Sequence, residues 1–449
     1  MNDFAIPSHS NLNTDQTWST IATFIIAATA AIIAAEISQS RALRSANDRS
    51  RWCTVWTVVE RGTYQIDELI LEHKRWRTID IVVYPEEGDR HFYSTKPPLL
   101  PTVIAGLYYV IKQTTGMTLL THTNAVTRLI LVMVNLIPWT IALGLLAGIL
   151  KRYAENNVTR TLVLLTACLG TLILPFLCTL NNHTIAATAL IIALYPAMVI
   201  TIEGRKEWWL FAISGFFAAW TCTNELPAAL LGFSLFILLL AHAPGRTLLV
   251  FLPAALVPLS AYFALNYLVT GGWKPFYAYY GTEIYNFGEF KGIKSHWNQP
   301  SGIDQGKDNT LTYFFHCTFG HHGIFSLSPV FLLSLIGWSF NTRRQKLKVF
   351  LWLGLMLTIV VLGFYLMRTD NYNYGGRSCA LRWMLWIIPF WLLALIPVCE
   401  RWQHSKSFRC IAALLLALSV FSAFEAYGNP WQHPWIFKML TDAGLINYN

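Results

Sequence analysis

Four groups of residues carry side chains able to do chemistry, and each stands at the edge of an apolar run. Asn47-Asp48-Arg49 follows the first run, and Asp80 precedes His91-Phe92-Tyr93-Ser94-Thr95-Lys96-Pro97-Pro98. His316 to His322 leads into a late run, and residues 370–382 hold Asp370, Tyr374, Gly375-Gly376, Arg377 and Arg382. Glu225, next to Asn224, stands at the end of a further apolar helix. A charge beside hydrocarbon is costly unless it is paired or used. A carboxylate such as Asp48 can take a proton from a reacting hydroxyl, and Lys96, Arg377 and Arg382 can neutralise phosphate oxygens. Pro97-Pro98 would hold the backbone beside Lys96 rigid, while Gly375-Gly376 lets backbone approach a ligand.

Each of these residues also has a structural reading. Asp48 fits a helix cap, and the three long cations fit anchors reaching from the membrane edge to water. Asp80 fits a solvated loop residue or a second carboxylate for a substrate or metal, and Glu225, at the end of an apolar helix, fits a group binding a substrate's hydroxyls. His321-His322 fits a substrate-contacting or interfacial pair better than a closed metal site, because adjacent histidines diverge and no HxxxH spacing is present. No cofactor follows from the sequence, and a divalent metal is the one candidate.

The elements that must position these residues are membrane helices. Hydrophobic residues make up 54% of the 449, charged residues 13%, and the mean hydropathy is +0.43. Runs of about 18 to 25 apolar residues recur, long enough to cross a hydrocarbon layer of about 30 Å, and only helices satisfy the backbone there. The runs at 18–35, 125–150, 161–178, 184–202, 208–223, 226–243, 248–269, 324–340, 349–367, 380–398 and 410–426 predict about eleven crossings in an all-α polytopic membrane protein. The first run reads as a retained helix, since residues 1–17 carry no Lys or Arg and no clear cleavage site follows.

Lys151, Arg152, Arg160, Arg205, Lys206, Arg246, Arg343, Arg344, Lys346, Lys348, Arg401, Lys406 and Arg409 fall in alternate short loops. The positive-inside rule makes those loops cytoplasmic, with the N-terminus inside and the long segments 36–124 and 270–323 outside. Arg41, Arg44, Arg49 and Arg51 run against this locally, but long segments translocate largely regardless of charge. The net charge of +9 is therefore a matter of topology, with no basic groove of the kind that binds nucleic acid. The eight cysteines form no CxxC pair and read as small buried hydrophobes.

The whole chain, 1–449, reads as one membrane domain with two outer modules. In the first, Trp52, Val55, Trp56 and Val59 mark one face of a helix over 50–60, expected to lie in the interface with its Trp rings at headgroup level. A strand-like stretch over 78–84, a polar turn over 85–89 and a short apolar helix from Pro97-Pro98 to about Lys112 follow. The second module predicts an irregular aromatic loop with one helix over 309–316.

The order of a first helix, Asn47-Asp48-Arg49-Ser50-Arg51-Trp52, Glu60-Arg61-Gly62-Thr63-Tyr64 and Tyr93-Ser94-Thr95-Lys96-Pro97-Pro98 resembles the first outer loop of C-fold membrane glycosyltransferases. That superfamily includes protein O-mannosyltransferases and the aminoarabinose transferase of lipid A. Phe319-Gly320-His321-His322-Gly323-Ile324-Phe325 and Tyr374-Gly375-Gly376-Arg377-Ser378, followed by Arg382, are similar to segments of bacterial relatives. The resemblance implies transfer of a sugar from a polyprenyl-phosphate donor to a hydroxyl of a lipid, glycan or protein acceptor, on the outer face of a bacterial inner membrane. It implies Asp48 as base and Lys96 at the donor phosphate, with Arg377 and Arg382 as further phosphate contacts. Asp80, Tyr93, Glu225, His321, His322 and Tyr374 are the candidates for substrate binding. A departing phosphate needs no general acid, so one carboxylate suffices, unlike the pair most glycosidases require. The rival readings are a transporter or lipid flippase and a catalytically idle member of the fold. Helix centres nearly free of charge, with the polar residues gathered at one face, favour surface chemistry over transport.

Overall fold

A computed structural model describes residues 9–306, 308–340, 345–367 and 373–448. Arg343, Arg344 and Asp370, singled out from the sequence, lie outside the described residues, as does the stretch 1–8. The described chain is helical apart from two short two-stranded ladders. Among the described residues, seven helices are long and apolar enough to cross a membrane: Gln16–Gln39, Thr123–Tyr153, Asn182–Glu203, Pro244–Thr270, Leu347–Leu366, Arg382–Trp402 and Lys406–Glu425. Asn157–Leu169, Leu226–His242 and Pro329–Ser339 are apolar but shorter, and Trp208–Asn224 is a further helix of 17 residues. The chain is an integral membrane protein by these helices. Length and composition make these seven candidates to cross, and the count of about eleven expected from the sequence is not confirmed.

Four expected spans contain 3-10 segments, the run 226–243 opening with one at Leu226–Ala228. The run 161–178 stops as an α-helix at Leu169 and resumes as a 3-10 turn, Leu174–Cys178. The run 324–340 divides around Pro329 into Ile324–Leu327 and Leu332–Ser339. The run 380–398 opens as a 3-10 segment, Arg382–Ile387, before Pro389. Proline lacks an N–H and crowds the preceding turn, so it marks such breaks. Hydropathy alone does not register them.

Asn182–Glu203 and Arg382–Trp402 form the centre of the bundle, with 78% and 89% of their apolar stretches buried inside the protein. Pro244–Thr270 and Lys406–Glu425, at 22% each, turn most of their surface outward. Gly337 sits against the backbone of Ala394 and Gly215 against that of Phe251, where a larger side chain would force the helices apart.

Beyond the first membrane helix, Ser45 caps the helix Ala46–Arg61 by accepting from the Asp48 amide at 2.9 Å, and Gly62 ends it at φ 66°. The expected apolar face is present, but Trp52, Val55 and Trp56 are buried within the protein, so their side chains are not free to face lipid headgroups. The partner surface is the helix Leu99–Thr115, whose Tyr108 and Lys112 each donate to Glu60 at 2.6 Å. Between the two helices, Ile81–Tyr84 and His91–Ser94 pair antiparallel with Ile81 opposite Ser94. The second outer module docks on this hairpin: Val83 donates to the Ile284 carbonyl at 3.0 Å, and Phe276 packs on Tyr84 and Tyr93. Its helix, Thr310–Thr318, lies where the sequence puts it and is capped by Asn309. Two loops distant in sequence thus form one cap over the ends of the bundle.

Candidate functional site

Under this cap lies a cavity of about 310 Å³. The helix Ala46–Arg61 contributes Asn47 and Arg51, one turn apart on the same face. The strand ending at Ser94 delivers Lys96, whose amide donates to the Ser94 hydroxyl at 3.1 Å. The start of Asn182–Glu203 brings Asn182 and His183, and the break between Trp208–Asn224 and the next helix brings Glu225. Arg382 and Trp383 enter from the 3-10 segment that opens the central helix. Tyr277, Tyr280, Tyr285 and Tyr365 complete an aromatic wall, with Tyr365 stacked on Trp383 at 4.1 Å and 10°.

The polar groups are linked in series. Arg51 donates to Asn47 and, through Nη2, to the Asn182 side-chain oxygen. Asn182 Nδ2 donates to Glu225 Oε1 at 2.7 Å and to the Asn224 carbonyl at 3.0 Å. His183 Nδ1 meets the same Glu225 oxygen. On the opposite side Lys96 pairs with Asp80 at 3.0 Å, both nearly buried. Ser50 donates to the Asp80 carbonyl at 2.7 Å, tying that strand to the helix. Arg382 is 6% exposed, lies over the Trp431 ring at 5.4 Å, and has no hydrogen-bond partner for Nε among the described residues.

Burial sets the charge state. It works to raise Asp80, but Lys96, Arg382 and Arg51 outweigh it and hold the carboxyl below its ordinary value. Burial lowers the Lys96 ammonium to about 8 against the pull of Asp80, and lowers Arg51 to about 10. Glu225 is pushed up to about 8 by burial, opposed by Arg382 and Arg51. At neutral pH three cations therefore face the ionised carboxylate of Asp80, with that of Asp48 behind Arg51. An anion entering the cavity completes the balance.

Of the residues expected from the sequence, Lys96, Arg382 and Glu225 line this cavity, and Asp80 stands behind Lys96 as its partner. Asp48 is 2% exposed and is not among the lining residues, although its neighbour Asn47 is. Burial raises its carboxyl to about 6, moderated by Trp52 and by the amides of Leu180 and Arg44. One oxygen, Oδ1, lacks a partner among the described residues. The capping role belongs to Ser45. Tyr93 faces Phe276 and Tyr84 on the hairpin, away from the lining.

The remaining candidates belong elsewhere. Arg377 is exposed. His321, His322 and Tyr374 are fully buried in a second polar cluster. His321 and His322 meet through their Nδ1 atoms, and His321 Nε2 reaches the Tyr448 hydroxyl at 3.0 Å. Tyr448 and Tyr374 both donate to Asp308. Burial drives His321 down to about 2 and His433 to about 4, so the imidazoles are neutral. Among the described residues, no group of three or more His, Cys, Asp or Glu side chains could hold a metal. Seven cysteines are buried and Cys410 is exposed, all free.

Arg51, Asn182 and His183 are cavity residues that the chemistry-based reading of the sequence passed over. A signal for each was present. Arg51 stands four residues after Asn47, and Asn182-His183 is a polar pair at the mouth of an apolar helix. Neither a protein-family model nor a curated protein matches the chain.

Proposed function

We propose that the chain is a membrane glycosyltransferase that moves a sugar from a polyprenyl-phosphate donor to a hydroxyl acceptor on the outer side of the membrane. The observation that carries this reading is the cavity itself, in which Arg51, Lys96 and Arg382 converge beside an aromatic wall at the ends of the membrane helices. Fixed cations of this kind stabilise a phosphate as it takes up the charge of the breaking bond. In the reaction the acceptor oxygen bonds to the anomeric carbon while the carbon–oxygen bond to phosphate breaks. The phosphate leaves with the electron pair, and the acceptor proton passes to a base. The configuration at the anomeric carbon inverts.

Asp48 is the proposed base. It is largely ionised at neutral pH, and its unpartnered Oδ1 is a buried acceptor awaiting a donor. Because it lies behind the lining, this assignment requires the wall made by Asn47 and Arg51 to move when substrates bind. The test is transfer from radiolabelled polyprenyl-phosphate sugars in proteoliposomes by the parent and by Asp48→Asn. Loss of transfer with donor binding intact supports the assignment, and near-parental transfer removes it. A flippase would instead move the lipid between leaflets without releasing the sugar.

The proposed orientation has the cavity outside and the N-terminus in the cytoplasm of a bacterial cell. In a Cys410→Ser background, Asn298→Cys should react with an impermeant thiol reagent on intact cells and Lys206→Cys should not. Labelling of Lys206→Cys alone would reverse the orientation.

A further inference from the structure

Two atoms on the cavity wall have no task in the phosphate chemistry. Glu225 uses Oε1 for both of its contacts, with Asn182 and with His183. Among the described residues no group hydrogen-bonds to Glu225 Oε2, and none to His183 Nε2. Both residues line the cavity while being only 5% and 4% exposed. Neither atom is cut off from solvent, so both are reached from the cavity, and a ligand that displaces water there must pair them. A hydrogen-bonded series from Arg51 through Asn182 to Glu225 joins them to the cation group. Across the cavity stand Tyr365 and Trp383, stacked as one flat apolar face.

We infer that Glu225 and His183 bind two adjacent hydroxyls of the transferred sugar, which fixes the donor as a neutral sugar with a free vicinal diol on that edge. This rests on the lipid-phosphate reading of the cavity. The phosphate end is Arg51, Lys96 and Arg382, and the sugar end is the Glu225–His183 pair. Either Oε1 or Nδ1 carries the proton they share, so the pair presents an oxygen acceptor and an imidazole nitrogen in either state. A hydroxyl both donates and accepts and therefore matches both states. A sugar carboxylate only accepts, and set against Glu225 it would leave two acceptors facing each other. The flat Tyr365–Trp383 face suits the C–H edge of the same ring. A deoxy sugar would cover one of the two atoms without pairing it, the kind of mismatch that polar sites reject most strongly.

The experiment is equilibrium binding to the full chain in nanodiscs. The probes are bare polyprenyl phosphate and its mannosyl, glucosyl, galactosyl, arabinosyl and glucuronyl forms, together with a deoxy analogue of whichever binds best. At least one neutral form should bind more than about tenfold tighter than bare polyprenyl phosphate. The glucuronyl and deoxy forms should lose that gain. His183→Phe and Glu225→Ala should each abolish the gain, read as the ratio of glycosylated to bare polyprenyl-phosphate affinity within the same variant. Retention of bare-lipid binding also shows that each variant is folded. If every glycosylated form binds no tighter than the bare lipid, or if both variants keep the gain, the sugar subsite is wrong and the phosphate reading stands. If bare polyprenyl phosphate does not bind the parent at all, both fail.

Discussion

Two polar clusters lie beneath the loops of this protein, and they are built from similar residues to different ends. One joins Arg51, Lys96, Asp80, Asn182, His183, Glu225 and Arg382, and it opens onto a cavity of about 310 Å³. The other joins His321, His322, Tyr374, Tyr448 and Asp308. The first carries charges that outnumber their partners, and its Arg382 Nε has no hydrogen-bond partner among the described residues. The second is neutral in its imidazoles and closes largely on itself, with Phe437 packed against His321 and His322. Residue type does not separate a site from a structural knot. Access to the cavity does, since the buried His322 Nε2 of the second cluster also lacks a partner among the described residues.

The largest effect expected from this contrast is on transfer. Asp48→Asn should lower turnover by about two to four orders of magnitude, the usual range for removing a general base. Polyprenyl-phosphate binding should stay at the parental level. The rate of the parent should fall as pH drops through about 6, where Asp48 takes up a proton. A flat profile between pH 5 and 7 would break the link to Asp48.

Next in size is phosphate affinity. Lys96→Ala and Arg382→Ala should each weaken polyprenyl-phosphate binding more than about tenfold, as loss of a charge-assisted hydrogen bond implies. Arg377→Ala, an exposed residue outside the lining, should stay within about twofold. An equal loss at Arg377 would move the phosphate site toward the second cluster. Lys96 gives a finer test. Its ammonium is lowered to about 8, so binding should weaken as pH rises through that value. Lys96→Arg, which stays charged, should remove this alkaline fall.

The smallest effect falls on the second cluster. Tyr448→Phe deletes hydrogen bonds to Asp308 and His321 and should destabilise the protein by about 1–3 kcal/mol. A thermal unfolding assay in detergent would read this as a lower Tm, with binding of polyprenyl phosphate unchanged. Loss of binding at parental stability would give that cluster a functional role.

The sequence exposes most of the charged half of the cavity, because Lys96, Arg382 and Glu225 stand beside apolar runs where an idle charge is costly, but it passes over Arg51 inside a helix. It hides the neutral half. Asn182 and His183 are unremarkable in a list of residues, and their role follows from the break after Asn224 that carries Glu225 to meet them. Hydropathy finds most of the helices, but it reads straight through Pro175, Pro329 and Pro389, whose backbone breaks leave the surrounding runs just as apolar. The face of Trp52, Val55 and Trp56 is visible as a period. Its burial against protein depends on the docking of Leu99–Thr115, a tertiary fact that no local pattern carries.

The most direct measurement is a density map of the full chain in nanodiscs with polyprenyl phosphate bound. The account predicts the phosphate between Lys96, Arg51 and Arg382, with Asp80 still paired to Lys96 and the lipid chain leaving toward the bilayer. A phosphate seated against Arg377, or a cavity that stays empty at saturating lipid, would contradict it.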